Sequence, residues 1–193
     1  MVRQLSKVPW FRHLPNQLTL ARIVAVPILL MIYPIQISVT NVICAFIFAA
    51  AGITDILDGY LARKYDQETQ MGALLDPVAD KMLAGACLLL LASSKAMPVL
   101  MCGILLCRDI AVSGMRLIAA ESGHTIKVSS VGKLKTIFQD VGIFSLMIGS
   151  DYFNIPFYLV GIISIWIAMA VSLFSGYQYF SEFLNISEKK REY

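Results

Sequence analysis

The sequence predicts an all-α integral membrane protein with six transmembrane helices and an N-terminal amphipathic surface helix. Composition, charge distribution and length carry that expectation. Of 193 residues, 58% fall in the set AVILMFWYC and only 15% are charged, where soluble domains carry about 25% charged residues. A soluble globule of this size cannot cover itself with so few polar side chains, which excludes a cytosolic domain and a disordered chain. The net charge of +3 excludes a basic nucleic-acid face, because no segment concentrates enough cations to follow a phosphate backbone. A helix needs about 20 residues to cross about 30 Å of hydrocarbon, so six crossings use about 120 residues and leave about 70 for ends and loops. That is too little for a separate soluble domain, and residues 1–193 are expected to form one membrane domain.

Along the chain, Met1 to Pro15 sets Arg3, Lys7, Arg12 and His13 among Leu5, Val8, Trp10, Phe11 and Leu14. This is not a signal-peptide pattern; residues 1–14 read as a basic amphipathic segment lying on the membrane surface. The uncharged run from Ile23 to Thr54 is too long for one helix and is divided at Tyr33-Pro34. Spans are expected at about 17–33, 38–60, 76–94, 97–120, 132–149 and 154–180. Lys95 with Met97-Pro98 marks the turn before the fourth span, and Gly149-Ser150-Asp151 with Asn154-Ile155-Pro156 the turn before the sixth. Cys44, Cys87, Cys102 and Cys107 all lie in apolar stretches without a CxxC pair and read as small buried hydrophobes.

Orientation follows from the basic residues. With the N-terminus inside, Arg3, Lys7, Arg12, Arg63, Lys64, Lys127, Lys133, Lys135, Lys189, Lys190 and Arg191 are cytoplasmic, and only Lys95 falls outside. Both termini are then cytoplasmic.

The chemistry concentrates between Asp55 and Asp80. At about 100° per residue, Asp55, Asp58, Gly59 and Ala62 form one helical stripe, and Gly72, Asp76 and Asp80 form another. A short loop joins the two helices, so they are expected to be antiparallel neighbours with all four aspartates at one depth near the cytoplasmic side. Four carboxylates at one level cannot all stay ionised without a counter-charge. A divalent cation resolves the conflict; oxygen ligands favour Mg²⁺ or Mn²⁺ over zinc, and four carboxylates suit two ions about 3.5–4 Å apart. Taken singly, Asp76-Pro77 also suits a helix N-cap followed by proline, and Asp58-Gly59 a turn at a helix end. Gly59, Ala62 and Gly72 also suit helix packing.

The run Asp55-x2-Asp58-Gly59-x2-Ala62-Arg63-x8-Gly72-x3-Asp76-x3-Asp80 resembles the signature of the CDP-alcohol phosphotransferases at every position. The resemblance implies six transmembrane helices and a cytoplasmic site in the inner membrane. There a phosphatidyl group passes from CDP-diacylglycerol, or a related CDP-alcohol, to an alcohol. It implies two metal ions on Asp55, Asp58, Asp76 and Asp80, nucleotide contacts from Gly59, Ala62, Arg63 and Gly72, Asp80 as the base, and a homodimer. Leu14-Pro15-Asn16-Gln17-Leu18-Thr19-Leu20-Ala21-Arg22, Arg108-Asp109, Arg116 and Lys127-Val-Ser-Ser-Val-Gly-Lys133-Leu-Lys135-Thr136 resemble the bacterial branch whose acceptor is glycerol 3-phosphate. With these blocks the likeness extends over most of residues 14–140.

The basic residues make physical sense beside that likeness. Arg108 lies about 17 Å along the fourth span, where an arginine is costly unless it meets water or an anion. Arg116 lies about 80° around and two turns nearer the cytoplasm, so both are placed to line one pocket. With Lys135, they suit an acceptor carrying its own phosphate. Arg108 alternatively pairs with Asp109 or Asp140, and Lys127 and Lys133 alternatively serve only as topology signals. Gln139 and Asp140 suit polar contacts between helices.

The expected reaction is direct transfer. Metal-bound diphosphate loses CMP as Asp80 takes the proton of the attacking hydroxyl. Alternatives are the same chemistry on inositol phosphate, serine or phosphatidylglycerol, and a cation transporter, whose usual internal repeat is not evident here.

Overall fold

The structure is a computed structural model that describes residues 14–64, 70–121, 130–149 and 154–189, and within them no side chains of residues 14, 15, 55–64, 70, 71, 73, 74, 130 and 185–189. The described residues form six α-helices and a 3-10 turn, with no strand element. They are α1 (Leu14–Ile32), α2 (Ser38–Lys64), α3 (Gln70–Ser93), α4 (Val99–Glu121), α5 (Ser130–Ile148) and α6 (Phe157–Lys189). The expected surface segment falls, apart from its last residue, outside the described residues. The chain divides into two compact units, one ending at Leu90 and one beginning at Leu91.

In the first unit, α1 ends where expected, because Pro34 starts a 3-10 turn over Tyr33–Ile35. Gln36 follows in the left-handed region at φ 56°. Its backbone N–H and its side-chain Nε2 both donate to the Tyr33 carbonyl, at 3.1 and 3.0 Å. The chain then reverses into α2, which packs along α1, with Leu29, Tyr33, Cys44, Ala45 and Phe48 buried. Two local expectations change. Helix α2 continues through Asp58-Gly59 to Lys64, so that pair ends no helix. Helix α3 begins at Gln70, six residues before the expected start, so Asp76 is no N-cap and Pro77 sits inside the helix. Proline's fixed φ is helical; its cost is the missing N–H that would have bonded the residue 73 carbonyl. Helix α1 likewise accommodates Pro27.

The second unit opens on the turn after α3. Lys95 adopts φ 63°. Its N–H donates to Ala92 O at 3.2 Å, and Ala96 N–H reaches back to Leu91 O at 2.9 Å. Pro98 immediately precedes α4, where a missing N–H costs nothing. Gly149 at φ 69° closes α5, donating to Ser145 O at 3.1 Å. Helix α6 packs against both α5 and α4. It runs to Lys189, beyond the expected end near 180, because its last turns carry no breaking residue.

The helices expose large apolar side chains and bury polar ones among the apolar residues of the core. Helix α1 buries Asn16, Thr19 and Arg22 while exposing Val24, Leu30 and Met31; α6 buries Ser164, Ser172 and Ser175 while exposing Trp166, Leu173, Phe174 and Tyr177. Water outside would demand the reverse, whereas hydrocarbon outside accepts the apolar face. Among the described residues, two stretches are long and apolar enough to cross a membrane: Asn16–Ile35, mean hydropathy 2.1, and Phe157–Leu184, mean hydropathy 2.3.

Candidate active site

Each unit contains a polar cluster that its apolar helices would not tolerate without pairing. In the first, Asp76 and Asp80 stand one turn apart on one face of α3. Their side chains are 38% and 48% exposed, while the cation that meets them, Arg22 of α1, is only 1% exposed. Arg22 Nη1 donates to Asp80 Oδ1, and Nη2 donates to Asp76 Oδ1 at 3.2 Å. Thr19, one turn before Arg22, donates its hydroxyl to the same Asp76 oxygen. Two partly exposed carboxylates are thus held by one buried planar cation.

Gly72 is buried in the first turns of the same helix. Asp55, Asp58, Gly59, Ala62 and Arg63 occupy the last turns of α2, whose helical period sets Asp55, Asp58, Gly59 and Ala62 on one face. Their side chains lie outside the described residues, so among the described residues alone no group of three metal-ligating side chains gathers. The donor set of Asp76 and Asp80 fits a hard divalent cation. It is oxygen only, and each carboxylate offers two oxygens with about four lone-pair sites, of which Arg22 and Thr19 engage part.

In the second unit, Arg108 extends from α4 along α6. Nε donates to Ser172 O at 3.1 Å, Nη2 to Ser175 Oγ at 2.5 Å and Nη1 to Asp109 Oδ1 at 3.2 Å. The guanidinium carbon lies 5.7 Å from the Tyr179 ring centroid. Gly176 lies alongside the arginine's stem, where a Cβ would meet Arg108 Cγ at 3.4 Å, an ordinary contact. Lys135 of α5, 5% exposed, spans both Asp109 oxygens at 2.7 and 2.5 Å. The expected alternative of an Arg108–Asp109 ion pair is therefore present, and Asp109 is shared with Lys135. Asp140 also acts on Lys135 through its charge, so Arg108 and Lys135 are set between two carboxylates. Beside them, Ser172 Oγ and, one turn after Lys135, Gln139 Oε1 are buried without a hydrogen-bond partner. Such orphans are costly in an apolar setting. A ligand with an anionic group and hydroxyls would suit cluster and orphans together.

Arg116 and Lys133 are exposed, and Lys127 lies outside the described residues. The sequence reading missed Arg22 and Thr19 as members of the acidic cluster. The signal was available, since an arginine within an apolar helix is costly wherever it stands.

The family model of the CDP-alcohol phosphatidyltransferases matches residues 12–174. Several bacterial proteins named CDP-diacylglycerol–glycerol-3-phosphate 3-phosphatidyltransferase are similar along most of their length. The Rickettsia bellii protein is 38% identical over 169 residues, 87% of this chain and 93% of its own. The Bacillus subtilis protein is 35% identical over 186 residues, 88% of this chain and 94% of its own. The Sodalis glossinidius protein is 33% identical over 171 residues, 86% and 92%.

Proposed function

The chain belongs to the CDP-alcohol phosphatidyltransferase family, and from that premise we propose that it transfers the phosphatidyl group of CDP-diacylglycerol to glycerol 3-phosphate, giving phosphatidylglycerophosphate and CMP. The observation that carries the reading is the unbroken aspartate signature from Asp55 to Asp80 in a chain similar along most of its length to proteins named for this reaction. Arg108 and Lys135, whose partners Asp109 and Asp140 a phosphate could displace in part, support an acceptor with its own phosphate, and the orphaned Ser172 and Gln139 oxygens support one with hydroxyls.

Asp55, Asp58, Asp76 and Asp80 would hold two Mg²⁺ or Mn²⁺ ions, which supply neutralisation of the diphosphate's charge. Arg63, with the small Gly59, Ala62 and Gly72, would receive the cytidine nucleotide. Asp80 accepts the proton of the primary hydroxyl of glycerol 3-phosphate. That oxygen bonds to the phosphorus bearing the lipid, and the bond from this phosphorus to the CMP oxygen breaks. Arg108, Arg116 and Lys135 hold the acceptor's phosphate. The enzyme works as a homodimer in the inner membrane, with its six spans placing site and termini on the cytoplasmic side.

CMP release by the purified full-length protein, with glycerol 3-phosphate, inositol phosphate, serine and phosphatidylglycerol offered separately, tests the reading. Release is expected with glycerol 3-phosphate only, to be abolished by chelation and to fall at least about 10²-fold in Asp80→Asn. Activity with serine alone would overturn the acceptor, and metal-independent release would overturn the mechanism.

A further inference from the structure

Resting on the metal reading above, we propose that Arg22 is a positioning residue, whose guanidinium bridges Asp76 and Asp80 and fixes the two carboxylates for a divalent cation. Three observations converge on it. The Arg22 side chain is almost wholly buried, at 1% exposure. Its two terminal nitrogens go to different aspartates, Nη1 to Asp80 and Nη2 to Asp76. Thr19, on the same inward face of α1, adds a second donor to Asp76.

A charge at this place has a structural job in any case, since two aspartates one turn apart repel each other and destabilise their helix. Charge balance alone would be met by a lysine. A planar fork with fixed N–H directions does something different: it sets the angle between two acceptors and locks their rotamers. Groups that hold metal ligands from behind typically contribute about 10–100-fold to metal affinity. Positioning and charge balance also differ in sign. A cation that merely stands in for metal repels the incoming ion, so its removal tightens metal binding. A cation that orders the ligands weakens metal binding when removed, despite the relief of repulsion.

The test is Mn²⁺ binding by the full-length protein in detergent micelles, read from the loss of the free-ion electron paramagnetic resonance signal, with no substrate present. Thermal midpoints are measured on the same metal-free samples. Arg22→Gln and Arg22→Lys are both expected to raise the Mn²⁺ dissociation constant about 10–100-fold. Thr19→Val, which leaves the charge in place, is expected to raise it about 2–10-fold. Tighter binding in Arg22→Gln, or binding by Arg22→Lys equal to that of the unsubstituted protein, overturns the positioning role. If Arg22→Gln does not fold, Arg22→Lys and Thr19→Val decide. Asp76→Asn separates the two levels of the argument. Loss of Mn²⁺ binding there upholds the metal reading on which the proposal rests. Absence of Mn²⁺ binding by the unsubstituted protein, or full binding by Asp76→Asn, overturns that reading and the proposal with it.

Discussion

Arg108 Nε on α4 donates to the backbone carbonyl of Ser172 on α6, 3.1 Å away, so the guanidinium is aimed by a helix backbone. Ser175 Oγ and the Tyr179 ring hold the same group. Arg108→Lys keeps the charge but loses the fork that meets these partners. With the acceptor's phosphate on this cluster, the substitution is expected to raise KM for glycerol 3-phosphate about 10–100-fold, the worth of one charge-assisted hydrogen bond, and to leave KM for CDP-diacylglycerol within about 2-fold. Steady-state kinetics with each substrate varied in turn checks this. Equal changes in both constants would remove Arg108 from the acceptor's site.

Asp109 is the shared anion of Arg108 and Lys135, and both ion pairs are largely buried. Removing one partner of a buried pair leaves an uncompensated charge and costs about 3–5 kcal/mol, whereas replacing both by apolar groups is often neutral. Asp109→Leu is therefore expected to lower the thermal midpoint more than the double substitution Asp109→Leu, Lys135→Met. A double-mutant cycle on the purified protein measures the coupling. Additive effects would mean that the pair is solvated.

The sequence made the turns legible because each depends on a local rule. Pro34 divides α1 from α2, Pro98 starts α4 and Gly149 closes α5. It misplaced the start of α3 because Asp76-Pro77 satisfies the rule for a helix start equally well, and only the turns before it decide. The aspartates stood out by spacing within helices. Their partner Arg22 lies 54 residues from Asp76, and Lys135 lies 26 from Asp109. A helical period reports which residues share a face and nothing of which faces meet. Burial cost could have marked Arg22 as needing an anion, as it marked Arg108, but could not name which one.

Gly161 of α6 lies where a Cβ would come within 2.7 Å of Leu146 Cγ and 2.9 Å of Leu146 N on α5. The obstacle includes backbone, so the helices must separate to admit a methyl group. Gly161→Ala is expected to cost about 1–3 kcal/mol, as overpacking does. Gly103 has nothing within 4 Å of its Cβ position, so Gly103→Ala is expected to be neutral or to stabilise α4 by up to about 1 kcal/mol through helix propensity. Thermal unfolding in one detergent compares the two. Equal midpoints would contradict the close α5–α6 crossing.

Leu173 lies near the middle of the apolar stretch Phe157–Leu184 and is exposed. On a helix facing water, Leu173→Asp would change stability by less than about 0.5 kcal/mol. On a helix facing hydrocarbon, an aspartate at mid-span costs about 2.5–3.5 kcal/mol. We expect Leu173→Asp to deplete the protein from the membrane fraction that resists alkaline carbonate extraction, and Leu173→Phe to leave that fraction unchanged. Quantitative immunoblotting of the two fractions measures the difference. Retention of Leu173→Asp at the unsubstituted level would place this face of α6 against water or a polar partner, and the exposed apolar side chains of α6 would then need another cause.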